Sequence, residues 1–309
     1  TVAIYITAVT TVLQAVQLGF GNTAVIMRSN VAGNVINVIV NALLIFGLGP
    51  FPRLGVVGAA VGTVIGTLGA LGLTLVELKK DGLLTGGRWI PGAIYFRRIL
   101  PIFGSVFSEQ GFERIGMLIF ARIAADLGTV GFAVHNICMN ICDIYYCFAV
   151  GFGKASMVLA GQSCGRGSVF DWLRYRRVGI RWTLLFSTIS FVLTVVFRKE
   201  IFSIYSDSPE TLALSGTVMV LAALVSYPEA HALVAAGILR GSGRTASVAA
   251  YSFVSVTILR PIMTAIFFYV LGLGIVGIWM ALLFDQCIRA SCAEFLVHRL
   301  DYMRAPAKA

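Results

Sequence analysis

The sequence predicts an all-α polytopic membrane protein. Hydrophobic residues make up 58% of the 309 residues and charged residues only 12%, about half the charged share of a soluble domain. The apolar residues fall into nine long runs, at about 1–18, 24–47, 55–78, 99–123, 130–158, 180–197, 212–237, 247–271 and 275–297. Each is near the roughly 20 residues that a helix needs to cross the hydrocarbon core. Strands are excluded, because bilayer strands are short, alternate in polarity and close into barrels. A helix satisfies its own backbone. The charge deficit also excludes an ordinary cytosolic enzyme, a disordered chain and a nucleic-acid binder of the usual kind.

The first run, TVAIYITAVTTVLQAVQL, ends at the turn Gly19-Phe20-Gly21-Asn22-Thr23. The second carries Asn34, Asn37 and Asn41, which share one helical face, and stops at Gly47-Leu48-Gly49. The third repeats Gly58, Gly62 and Gly66 every four residues, a small-residue face that lets helices approach closely. Residues 79–98 carry turn residues and five basic groups, and read as a linker. The fourth run contains Glu109, Gln110, Glu113 and Arg114; the fifth carries Asn136, Asn140 and Asp143 along one face. The sixth contributes no candidate residue. The seventh contains Tyr227, Pro228, Glu229 and His231; Pro228 is expected to kink its helix and free a carbonyl. The eighth contains Arg260-Pro261, expected as a second kink with Arg260 paired to an acid, and the ninth Asp285, Arg289 and Glu294.

Charge sets the orientation. With the C-terminus in the cytoplasm, 16 of the 24 basic residues lie inside, four outside and four within spans. This is the asymmetry of the positive-inside rule, and it accounts for much of the net charge of +10 without nucleic acid. The six cysteines show no CxxC spacing. All but Cys164, expected in a loop, lie within apolar runs and read as small core residues.

An internal repeat is also legible. Gly19-Phe20-Gly21-Asn22-Thr23 is echoed by Gly241-Ser242-Gly243-Arg244-Thr245, an offset of 245 − 23 = 222. Gly55-Val56-Val57-Gly58 is echoed by Gly274-Ile275-Val276-Gly277, an offset of 277 − 58 = 219. Duplicated halves are a habit of transporters. The second copy holds six spans, so the offset predicts a twelve-span protein of two six-helix lobes, with this chain holding spans four to twelve. The expected divisions are 1–78 as part of the first lobe, 79–98 as the cytoplasmic linker and 99–309 as the second lobe.

With these lobes, its GNT and LRGSGRT turns and the run INVIVNALLIFGLGP, the chain resembles the multidrug and toxic compound extrusion (MATE) transporters. Further stretches carry the likeness: LGVVGAAVGT, AVHNICMNI, GFGKASMVLAGQ, AAGILRGSGRT and LRPIM. The chain departs from the family pattern at Gln17-Leu18-Gly19, where LRG is usual, at Arg244, where an acid is usual, and at Ser105, where proline is usual. The resemblance implies secondary active antiport by alternating access: organic compounds, often cationic, leave in exchange for Na⁺ or H⁺. It implies no cofactor beyond that ion, no nucleic-acid partner, and a monomer in the cell membrane.

Charged groups at mid-bilayer are costly, roughly 2.5–3.5 kcal/mol each on insertion scales, so each invites an explanation. Glu109 matches the family's seventh-helix glutamate in the pattern E-Q-x3-R-I-G, and Glu229 lies ten residues before Leu239 of the LRG turn, where some members carry an acidic ion ligand. Both are expected to couple the cation or proton; for Glu109 the competing reading is a structural ion pair between helices. Glu113, Asn34, Asn37, Asn41, Asn136, Asn140, Asp143, Tyr227 and His231 are expected to line or support the pathway, with interhelical glue as the alternative for the amides. Asp285 and Glu294 read as structural. Neither a resident metal site nor a catalytic constellation is expected. Gly272–Gly277 fits GxGxxG but follows a membrane helix, and Gly161–Gly165 fits GxSxG but follows no strand. Two other functions are compatible with the class: a flippase of lipid-linked precursors and, more distantly, a membrane-embedded enzyme.

Overall fold

The computed structural model describes residues 2–83, 92–205 and 208–300, and the described residues are helical apart from short connections. Among the described residues there are ten helices: α1 (Val2–Gly19), α2 (Thr23–Phe46), α3 (Val56–Lys80), α4 (Ala93–Ala125), α5 (Gly128–Arg166), α6 (Val169–Val196), α7 (Arg198–Tyr205), α8 (Pro209–Gly241), α9 (Thr245–Val270) and α10 (Gly274–His298). All nine apolar runs are recovered. Among the described residues, eight helices are long and apolar enough to cross a membrane; α4 carries Glu109, Glu113 and Arg114 and falls short of that composition. Helix α7 replaces an expected loop. It is amphipathic and anchored by the fully buried Phe202.

Helix α5 has 39 residues and is therefore about 58 Å long, nearly twice the hydrocarbon thickness. Residues 161–166, expected in a loop with Cys164, instead continue the helix until Gly167, in a left-handed conformation, stops it. Ser168 then caps α6 by accepting from the Asp171 amide at 3.3 Å. The basic residues Arg174, Arg176, Arg177 and Arg181 accordingly occupy the first turns of α6 rather than a loop. Of the expected linker 79–98, Lys79 and Lys80 end α3, residues 93–98 begin α4, and 84–91 lie outside the described residues.

The chain forms two compact units, Thr1–Pro91 and Gly92–Ala309. In the first, α3 packs against both α1 and α2. The Gly58/Gly62/Gly66 stripe is the contact: a Cβ at Gly58 would sit 2.7 Å from the Leu44 carbonyl, and one at Gly62 would collide with the Asn41 side chain. In the second, α8 is the central helix, touching α5, α6, α7 and α10. Its tightest contact with α5 brings Gly237 onto the Gly153 backbone and Gly241 onto that of Met157, so Gly237-x3-Gly241 is a second close-approach motif. Two apolar clusters pack around α8, one built on Phe120, Met219 and Trp279, the other on Trp172, Leu239 and Val248.

The repeat is present in the backbone. Gly21 and Gly243 share a left-handed φ, 82° and 78°, as do Gly55 and Gly274, 55° and 56°. Gly277 abuts the Phe267 carbonyl as Gly58 abuts that of Leu44. Helix α8 continues through Pro228. Around Pro261, α9 widens into π-turns at Phe253–Leu259 and Ile266–Val270, an adjustment that lets a helix pass a proline lacking its N–H.

Candidate functional site

A cavity of about 300 Å³ opens within the C-terminal unit, walled by α4, α5, α8, α9 and α10. Five of its acidic and basic lining groups come from different helices: Glu113 from α4, Asp143 from α5, Glu229 from α8, Arg260 from α9 and Arg289 from α10. A smaller chamber of about 140 Å³ adjoins it, lined by Glu109, Lys154 and Arg240. Gln110, Glu113, Tyr146 and Arg289 line both.

The carboxylates around these chambers differ in how their charge is met. Glu109, 3% exposed, accepts from Arg240 Nη2 at 2.5 Å and from Ser252 Oγ at 3.3 Å. Asp285 accepts from Arg260 Nε at 2.9 Å and Nη2 at 2.6 Å, and also from Ser255. Arg260 further lies 5.9 Å from the Phe120 ring centroid. Glu113 accepts from the Gln110 amide at 3.1 Å and faces Arg289 at the longer distance of 3.8 Å. Glu229, half-buried, accepts from the Gln286 amide at 3.3 Å. Among the described residues no Lys, Arg or His stands within ion-pair distance of it.

Of the residues singled out from sequence, Glu229, Glu113 and Asp143 meet in the large cavity, while Glu109 lies in the smaller one, its charge already met by Arg240. Tyr227 is not brought to this site, because residues two apart on a helix face nearly opposite ways; its hydroxyl donates to Thr188 of α6 at 3.1 Å. For the same reason His231 leaves Glu229 and meets Glu294 at 3.2 Å. Glu294 also holds Arg176 and His298, so it joins α6, α8 and α10. Asn136 and Asn140 are exposed on the α5 face that carries Asp143. In the N-terminal unit, Asn34 and Asn37 line a cavity of about 240 Å³ with Asn30, Thr63 and Thr67. Asn41 is drawn out of that lining: its amide donates to Asn37 at 3.1 Å and its side chain fills the space over Gly62.

Sequence reading assigned no role to Gln110, Tyr146, Arg240, Gln286 or Arg289, although Arg289 stood among the intramembrane charges that invite an explanation. For the last two a signal existed: Asp285, Gln286 and Arg289 recur at helical spacing within an apolar run. For Arg240, at the end of its helix, there was none, because an arginine there already satisfies the positive-inside pattern.

Residues 101–266, more than half of the chain, match the family described as MatE. The probable multidrug resistance protein NorM of Thermotoga maritima is 27% identical over 282 residues, covering 91% of this chain and 61% of that protein. The chain thus spans about three-fifths of the length of this curated relative. Two solved structures share its fold: a MATE transporter in the bent conformation, with a TM-score of 0.85, 17% identity and coverage of 98% of this chain and 67% of the other, and the eukaryotic MATE transporter AtDTX14, with a TM-score of 0.86, 15% identity and coverage of 98% and 68%. Eight candidate membrane spans among the described residues, a duplicated glycine framework and this family match agree: the chain belongs to the MatE family of multidrug and toxic compound extrusion transporters.

Proposed function

We infer that the protein is a secondary active antiporter that exports organic compounds, organic cations foremost, in exchange for Na⁺ or H⁺ by alternating access. The observation that carries this reading is Glu229: a carboxylate in a cavity, held by one amide, with no arginine, lysine or histidine at ion-pair distance among the described residues. Such a group retains capacity for a transported cation. Glu109 does not, because Arg240 already neutralises it; its role in this reading is the structural pair that joins α4 to α8. Ion and cargo shift the protein between its two access states only by their differential affinity for them. In this reading the site lies in a C-terminal lobe from residue 99, the lobes are joined through 79–98, the C-terminus is cytoplasmic and the protein works as a monomer.

The test is efflux from proteoliposomes with an imposed Na⁺ or H⁺ gradient. Glu229→Gln, close in shape but uncharged, is expected to abolish gradient-driven dye efflux while leaving insertion and melting unchanged. Undiminished efflux in that variant would refute the assignment. Movement of a labelled lipid-linked precursor, without dye efflux, would point instead to a flippase.

A further inference from the structure

We propose that Arg289 is a resident cation that competes with the transported ion: its guanidinium moves onto Glu229 when the ion leaves and rests on Glu113 when the ion is bound. The proposal rests on the reading of Glu229 as the ion-coupling carboxylate and adds how its affinity is set.

Three observations carry it. First, Arg289 stands in the wall shared by the two chambers, so its side chain is bordered by open space on both sides. Second, it is less fully satisfied than Arg240 and Arg260, the other two arginines paired to an acid around these chambers. Its contact with Glu113 is 3.8 Å, against 2.5 Å for Arg240–Glu109 and 2.6 Å for Arg260–Asp285. Its Nε is buried with no hydrogen-bond partner. A buried donor left unmet is costly, and more so on a charged group, which marks this placement as one of several open to a long side chain. Third, Gln286, three residues before it on α10, already reaches Glu229. Residues three apart share a helical face and stand one turn, about 5 Å, apart, so rotation about side-chain bonds carries the guanidinium toward Glu229 without moving the helix.

The other charged groups facing Glu229 cannot take this part. Arg260 is fixed by two hydrogen bonds to Asp285. Arg114 lines the same cavity but from α4, on a different wall from the α10 face whose Gln286 reaches Glu229. Asp143 and Glu113 are acids and repel Glu229. With Arg289 able to answer Glu229, release of the ion does not leave a bare carboxylate in the cavity. Ion affinity becomes the outcome of an exchange between two cations.

The test is equilibrium binding to the purified full chain, using radiolabelled Na⁺ and, in parallel, proton uptake on acidification. Arg289→Gln is expected to bind the coupling ion about tenfold more tightly. Arg289→Lys, which keeps the charge, is expected to stay within about threefold of the unaltered protein. Glu113→Gln, which removes the resting place and drives Arg289 onto Glu229, is expected to weaken binding about tenfold, and it carries the test if Arg289→Gln does not fold. Unchanged or weaker binding in Arg289→Gln, or unchanged or tighter binding in Glu113→Gln, overturns the proposal while Glu229→Gln still abolishes binding. Ion binding that survives Glu229→Gln, or is missing from the unaltered protein, overturns the reading of Glu229 itself.

Discussion

Replacing Asp285 with asparagine probes the most buried ion pair in the C-terminal unit. Asp285 is 1% exposed and Arg260 is 4% exposed. The aspartate accepts two hydrogen bonds from the guanidinium, at 2.9 and 2.6 Å, and a third from Ser255. Asparagine keeps the volume and one acceptor but removes the negative charge, leaving a guanidinium buried without its counter-ion. Removing one partner of a buried pair costs about 3–5 kcal/mol. The lower end applies, because Arg260 keeps its position 5.9 Å from the Phe120 ring centroid, a contact worth about 1 kcal/mol. Each kcal/mol lowers the melting temperature of a unit this size by about 2–4 °C, so a loss of about 3 kcal/mol corresponds to about 6–12 °C. The assay is thermal unfolding of the purified protein in detergent, followed by the helical circular dichroism signal. The double variant Arg260→Met/Asp285→Leu removes both charges and should recover most of the loss, since apolar replacement of a buried pair is often neutral or stabilising. An Asp285→Asn protein that melts within about 2 °C of the unaltered one, or a double variant less stable than the single, would refute the reasoning.

Two further outcomes are expected from the same measurement. Gly237→Ala places a methyl group against the Gly153 backbone and should cost about 1–3 kcal/mol by overpacking the α5–α8 contact; Gly151→Ala, with nothing within 4 Å of the added methyl, should be neutral or gain up to about 1 kcal/mol. At the turn between α4 and α5, the Tyr269 hydroxyl and the Arg122 guanidinium hold the exposed Asp126 carboxyl below its ordinary range. Any stability this contact adds is present at neutral pH and lost as pH falls through that lowered range, so Asp126→Asn should narrow the difference in melting temperature between neutral and acid solution, and only slightly, because solvent screens the contact.

The ion pairs show where sequence reading stopped. That charges inside apolar runs need partners was plain from their cost in a bilayer, and a counter-ion for Arg260 was expected. The identity of each partner was not. Arg240 and Glu109 are 131 residues apart, and Arg176 and Glu294 are 118 apart; no local spacing relates them. The glycine stripe of α3 announced its contact because the period of four residues is that of the helix, and Gly237-x3-Gly241 carried the same signal unread. Tyr227, Glu229 and His231 make their contacts with different helices, because neighbours in sequence are not neighbours on a helix surface.

The sequence by itself determined the long apolar runs, their helical state, the duplicated glycine framework and the short inventory of acids within those runs. These follow from local quantities: hydropathy over a span, backbone hydrogen bonding in a bilayer, and the left-handed φ that glycine tolerates. Only the tertiary structure decided which acids were spent. The same residue type is neutralised at Glu109 by Arg240 and left to an amide at Glu229, and that difference arises from which faces of α4, α8 and α10 meet.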